Sequence, residues 1–152
     1  MHEFAHAFSA VKSGDNTPTL ANRYTINPLA HFDLAGLICF MFFGFGWAKP
    51  IPINPSNFNH YKRGCFWTSI SGVLMNLIIA FLAYPLYQLF IRIPGFGAFT
   101  DVLVLTIRYI YTFSLAFFVF NLLPIYPLDG FRAIEVFTKK RGKIYRFLRD
   151  YG

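Results

Sequence analysis

Two apolar runs, each long enough to cross a bilayer, constrain this chain more than any other feature. About 20 mostly apolar residues span the hydrocarbon, and residues 66–91 and 102–123 both reach that length. Backbone in hydrocarbon must satisfy its own hydrogen bonds, so single runs of this kind are predicted to be helices. The first run contains Ser69, Ser71, Gly72, Asn76, Pro85 and Gln88, and the second contains Arg108 and Asn121. A third apolar run, 34–47, is too short to cross; its glycines and alanines suit a re-entrant or interfacial hairpin. The composition is 55% hydrophobic, 20% aromatic and 14% charged, against about 25% charged in an ordinary soluble domain. The expectation is one all-α membrane unit: a bundle of transmembrane helices with a short re-entrant or extended segment after the first helix. Cys39 and Cys65 lie in or beside apolar stretches and read as small buried hydrophobes.

Charge orients the runs. Of the 14 Lys and Arg, half fall between Arg132 and Arg149, where the acidic residues are Glu135 and the adjoining Asp150. Lys62 and Arg63 stand just before the first run. Cytoplasmic flanks carry the Lys/Arg excess, so the start of the first run and the end of the second are expected in the cytoplasm. The tail, 131–152, reads as a basic cytoplasmic or interfacial segment that meets anionic lipid. With this hydrophobicity, the net charge of +7 indicates a membrane surface, not nucleic acid.

Chemistry enters at His2-Glu3-Phe4-Ala5-His6. Residues four apart share a helix face, so both imidazoles can reach one metal ion. Glu3 sits beside that ion, placed to take a proton from a water. Residues 1–11 read as the remnant of this helix, stopped by the Ser13-Gly14-Asp15-Asn16 turn. A catalytic zinc site normally takes three protein ligands. The H-x-x-G-x-x-H extension fails at Ser9 and Lys12, and after Glu3 the next Glu is Glu135. Asp15, His31, Asp33, His60, Asp101 and Asp129 remain as candidate third ligands. Asp129 is the strongest, because it follows the second run through Pro124, Pro127 and Gly130, which break a helix and can turn a carboxylate inward. Asp15 reads as a turn residue, Asp101 as a helix flank and His60 as a surface residue. His31 and Asp33 suit loop ordering, or substrate positioning, more than ligation.

These pieces resemble the site-2 proteases, membrane-embedded zinc metallopeptidases, over nearly the whole chain. His2-Glu3-x-x-His6, Gly72-x-x-x-Asn76, and Asn121-Leu-Leu-Pro124 followed by Leu128-Asp129-Gly130 stand in that family's order. Asn27-Pro28-Leu-Ala-His31-Phe-Asp33 and Gly46-Trp-Ala-Lys49-Pro50-Ile-Pro-Ile-Asn-Pro55 look like its compact bacterial and archaeal branch. The resemblance implies one Zn2+ per chain on His2, His6 and Asp129, and a protease of membrane-spanning substrates in a prokaryotic cell membrane, with its site towards the cytoplasm. Glu3 would be the acid–base and Asn76 a donor to the developing oxyanion. Asn27, Pro28, His31, Lys49 and Pro50 are expected at the substrate, with Lys49–Asn54 an extended edge it could pair with. The alternative is a non-catalytic membrane scaffold that captures substrate. Family members carry further helical sequence before the first histidine, so residues 1–152 are expected to form part of a longer protein. Two smaller departures are Leu34 in place of proline and the bulky Phe131 after Asp-Gly.

Overall fold

The computed structural model describes residues 1–44, 46, 48–93, 97–138 and 147, and among these the regular elements are all helices. Helix α1 runs His2–Lys12, the short α2 Thr17–Leu20, α3 Leu34–Phe43, α4 Tyr61–Phe90, α5 Ala98–Leu122 and α6 Asp129–Glu135. Turns of 3-10 helix lie at Pro28–His31 and Pro55–Asn57. Among the described residues, the β-type pairing is an isolated bridge between Phe32 and Ala48.

Helix α4 is the hub, packing against α1, α5 and α6. The reason lies in its sequence: Gly64, Thr68, Gly72, Asn76, Ala80 and Ala83 are buried, at spacings of three or four that fall on one face. A stripe of small residues lets a neighbouring backbone come close. Helix α1 answers with its own small residues, Ala5, Ala7 and Ala10, all buried. Helix α5 turns back along α4, where Tyr111 packs between Tyr84 (5.3 Å) and Tyr87 (6.3 Å). Packing therefore accounts for Tyr111.

Both long apolar runs, but for the last residue of each, lie within helices long and apolar enough to cross a membrane, judged by length and composition. The helices begin before the apolar runs do: α4 starts at Tyr61 and takes in Lys62 and Arg63, and α5 starts at Ala98. The third run, 34–47, holds the ten-residue α3 and then turns at Gly44, whose φ of +75° suits glycine. Asp33 caps α3 by accepting from the Gly36 amide, so it orders this loop. Cys39 and Cys65 are half-buried where full burial was expected. Of the basic tail, Arg132–Glu135 belongs to α6, while most of 139–152, like Trp47, lies outside the described residues.

Candidate metal centre

One turn of α1 brings His2 and His6 edge to face, with ring centroids 4.5 Å apart. Helix α5 stops at Leu122, residues 123–128 turn the chain, and α6 starts at Asp129 itself. Gly130 makes that reversal possible, since a Cβ there would collide with the Leu122 and Leu123 carbonyls. Phe131, the bulky departure, is buried and packs edge-on to Tyr126 at 5.7 Å. Asp129 still faces the histidines.

Three atoms converge. His2 Nε2 and His6 Nε2 are 2.9 Å apart, and Asp129 Oδ2 lies 3.1 Å from the first and 3.2 Å from the second. Tetrahedral zinc with bonds of about 2.0–2.1 Å sets its ligand atoms roughly 3.3 Å apart. The triangle is close to that size, slightly contracted.

The outer ring nitrogens show what the inner ones do. His6 Nδ1 donates to the Thr68 carbonyl at 2.6 Å, which puts the proton on Nδ1 and leaves the Nε2 lone pair facing the triangle. His2 Nδ1 is 3.1 Å from the Asn76 side-chain amide. Amide oxygen and nitrogen are interchangeable by shape, so a ring protonated at Nδ1 donates to the amide oxygen. Asp129 Oδ2 is buried with no hydrogen-bond partner. Two imidazole lone pairs and a carboxylate oxygen thus point at one spot, an arrangement that a divalent cation satisfies and water alone does not. The residues fit zinc.

Gly72 explains how the rings approach α4. A Cβ at this position would overlap the His6 ring and come within 2.7 Å of His2 Cε1. The Gly72-x-x-x-Asn76 spacing therefore has a local cause: glycine admits the imidazoles, and one turn on the amide meets one of them.

Glu3 is half-buried and borders two cavities that share the metal corner. The inner one, about 190 Å3, is lined by His2, His6 and Asp129 together with Pro50 and Ile51. The second, about 440 Å3, is mostly apolar and includes Phe32, Phe117 and Phe120.

Of the residues expected at substrate, Pro28 and His31 border the apolar cavity and Pro50 the inner one. Asn27 is exposed and caps the Pro28–His31 turn through the Leu29 amide, away from both. Lys49 is tied by its backbone: its amide donates to the His31 carbonyl, and its carbonyl accepts from Arg23 at 2.6 Å. His31 meets the Thr25 carbonyl at 2.9 Å, so neither it nor Asp33 hydrogen-bonds the metal histidines. Asn76 lies behind His2 and also reaches the apolar cavity, so its amide is engaged by the ring that the oxyanion role would have left free.

Segment 48–54 belongs to no helix, and among the described residues its β-type pairing is the Phe32–Ala48 bridge. Buried Arg23 holds one end, and fully buried Asp15 the other. The Asp15 carboxylate accepts from the amides of Thr17 and Asn54, the Thr17 hydroxyl and the Asn57 side chain. Burial pushes this carboxyl up, but those donors outweigh it and hold it below the usual carboxylate range. Asp15 is indeed a turn residue, with a longer reach than a turn requires.

Sequence reasoning gave no role to Thr68, whose carbonyl fixes His6, or to Arg132, which borders the inner cavity, and assigned none to Asn121 beyond its motif, though it borders both cavities. For Thr68 the available signal was its place in the small-residue stripe, one turn before Gly72.

With this geometry in hand, the chain can be compared with known proteins. It is 41% identical over 137 residues to a Bacillus subtilis (strain 168) protein named "Putative zinc metalloprotease YwhC". The match takes in 89% of this chain and 63% of that relative, so the chain spans less than two thirds of the relative's length. No family model matches the chain, and no solved structure matches it. The relative's name describes a zinc metalloprotease, and in this chain His2, His6 and Asp129 are the described residues whose ligand atoms lie close enough together to hold a metal ion.

Proposed function

We propose that the intact protein is a membrane-embedded zinc endopeptidase of the site-2 protease type, hydrolysing peptide bonds in or near membrane-spanning segments. The observation that carries this is the three-acceptor triangle with Glu3 on the same cavity wall, in a chain with two helices apolar enough to span.

His2, His6 and Asp129 would hold the ion. Zinc bound there supplies a Lewis acid and brings the pKa of a bound water to about 7. Glu3 accepts the proton of the attacking water on its carboxylate and returns one to the leaving nitrogen. Thr68 and Asn76 keep the imidazoles in the required tautomer, a service whose loss typically costs about 10–100-fold in metal affinity. Pro50, Ile51 and Ile53 of the pinned segment line the same cavity as the triangle, where an extended substrate backbone can lie beside them. The reading puts the site towards the cytoplasm, in an integral protein of a prokaryotic cell membrane; Lys62 and Arg63 at the start of α4 and Arg132 after α5 support that orientation, since cytoplasmic flanks carry the Lys/Arg excess.

The test uses the full-length protein in liposomes with a single-span substrate. Glu3→Gln should lower turnover by at least about 100-fold while zinc stays bound. Unchanged turnover in Glu3→Gln overturns the acid–base role. Substrate capture without turnover, in zinc-loaded protein, would identify a non-catalytic scaffold instead.

A further inference from the structure

The inner cavity adjoins a third, of about 410 Å3, with which it shares Ile53, Thr68, Ser69 and Arg132. It also adjoins the apolar cavity through His2, Glu3 and Asn121, while the apolar cavity and the third share no lining residue, so the three read as one groove with the metal corner between its ends. On one side is the apolar cavity with Phe32, Phe117 and Phe120. On the other is the cavity between α4, α6 and residues 53–58, whose wall includes Tyr61, Thr68, Ser69 and Arg132. The two ends differ in chemistry, so a peptide lying along the groove meets different surroundings before and after the metal.

Arg132 is the charge at the boundary. It lies three residues after Asp129 on α6, so it shares that residue's helix face, and fixing Asp129 at the triangle fixes where Arg132 stands. It is exposed, and lines both the inner cavity and the third. Glu135, one turn further on, lines the third cavity alone, so it stands farther along the groove from the metal. A guanidinium offers a planar fork that fits a carboxylate with two parallel hydrogen bonds.

We propose that Arg132 is a specificity-determining residue: it selects peptides that carry a carboxylate side chain on one side of the cut and an apolar stretch on the other. This rests on the endopeptidase reading above, and deepens it by naming the substrate's chemistry. Arg132 would contact the substrate away from the reacting atoms, so it acts on peptide affinity and KM more than on kcat.

The test is binding first and cleavage second, with full-length protein in an uncharged detergent. The probes are fluorescent peptides with one Leu/Ala-rich stretch, followed by Asp, Asn or Lys at each of four successive positions. At one position or more, wild-type protein should bind the Asp peptide about tenfold more tightly than the Lys peptide. Arg132→Glu should reverse that order, and Arg132→Lys should keep its direction. The Asn peptide should bind all three proteins alike, which shows that the variants are folded. Equal affinity for Asp and Lys peptides at every position, or an order unchanged by Arg132→Glu, overturns the proposal. Cleavage without charge selectivity sinks this inference alone. Charge-selective binding without cleavage leaves it standing and counts against the hydrolase.

Discussion

Around the metal corner the buried side chains are His6, Thr68, Asn76 and Asp129, and the neighbours that admit them are alanines and Gly72. Along α5 the pattern is opposite. Thr100 is its buried residue, while Val102, Phe113, Phe117, Val119 and Phe120 are each more than half exposed. Water would make both arrangements costly, since each buried polar group needs a partner and each exposed aromatic forgoes burial. Lipid reverses the second cost. In a bilayer the apolar faces of α4 and α5 need no protein cover, and the drive to assemble comes from close contact of small residues and from polar satisfaction. The corner is held by tightness and chemistry, the outer face by its solvent.

The sharpest way to break this contrast is to remove one acceptor from the corner. Asp129→Ala should reduce bound zinc from about one per chain to a small fraction of that, since a catalytic site needs three protein ligands. Metal analysis of purified protein reads this directly. Zinc retained in full would move the third ligand elsewhere, and with it the role of α6.

The outer face is tested by Phe113→Lys. Phe113 is 53% exposed on α5. On a soluble surface lysine there would be close to neutral, but at the centre of a membrane helix it costs about 3 kcal/mol. We expect most of this variant to fail to integrate, measured as protein extracted by alkaline carbonate. Normal membrane retention would remove lipid from the account of α5.

The next effect is smaller and belongs to the corner again. Gly72→Ala adds the one carbon that would meet both imidazoles. The rings must back away from α4, stretching the His6–Thr68 bond of 2.6 Å. Zinc affinity should fall about 10–100-fold, as when an outer partner of a ligand is lost. The fall is read by competition with a zinc chelator of known affinity. A variant with wild-type affinity would mean that the helices part without cost, against the tight packing inferred here.

How far the sequence showed this depends on the range over which each feature acts. His2, Glu3 and His6 were legible because one helical turn sets their relation. Asp129 was legible because prolines and glycine around it break a helix at the end of an apolar run. The helix starts at Tyr61 and Ala98 were missed because the first turns carry Lys62, Arg63, Thr100 and Asp101, which hydropathy counts as outside. Asn76 is a subtler case: its type and spacing pointed to the metal, but its partner, the back of His2, depends on how α1 rests on α4. Thr68 was invisible as a ligand partner, since the group used is a backbone carbonyl that every residue has. The groove beside Arg132 exists only once α6 has folded back onto α4.

Asp15 gives the smallest expected effect, and it tests a third kind of region, the pinned segment that joins the corner to the rest. Its carboxylate gathers donors from Thr17, Asn54 and Asn57. Asp15→Asn replaces an acceptor-only group with one whose NH2 faces those donors, at about 1–2 kcal/mol. The pH sign follows from the lowered pKa. A carboxyl depressed in the fold stabilises it above its ordinary value of 3.8, and that contribution is lost as pH falls through the folded value. The difference in unfolding temperature between wild type and Asp15→Asn should therefore hold steady from neutrality down to about pH 5 and close below pH 4. Hydrogen exchange at the Ile51, Ile53 and Asn54 amides should quicken in the variant, because the far anchor of the segment is gone while Arg23 still holds the near one. A temperature gap that widened on acidification would mean that Asp15 is more easily protonated in the fold than in the free chain, and would dissolve its role as the anchor.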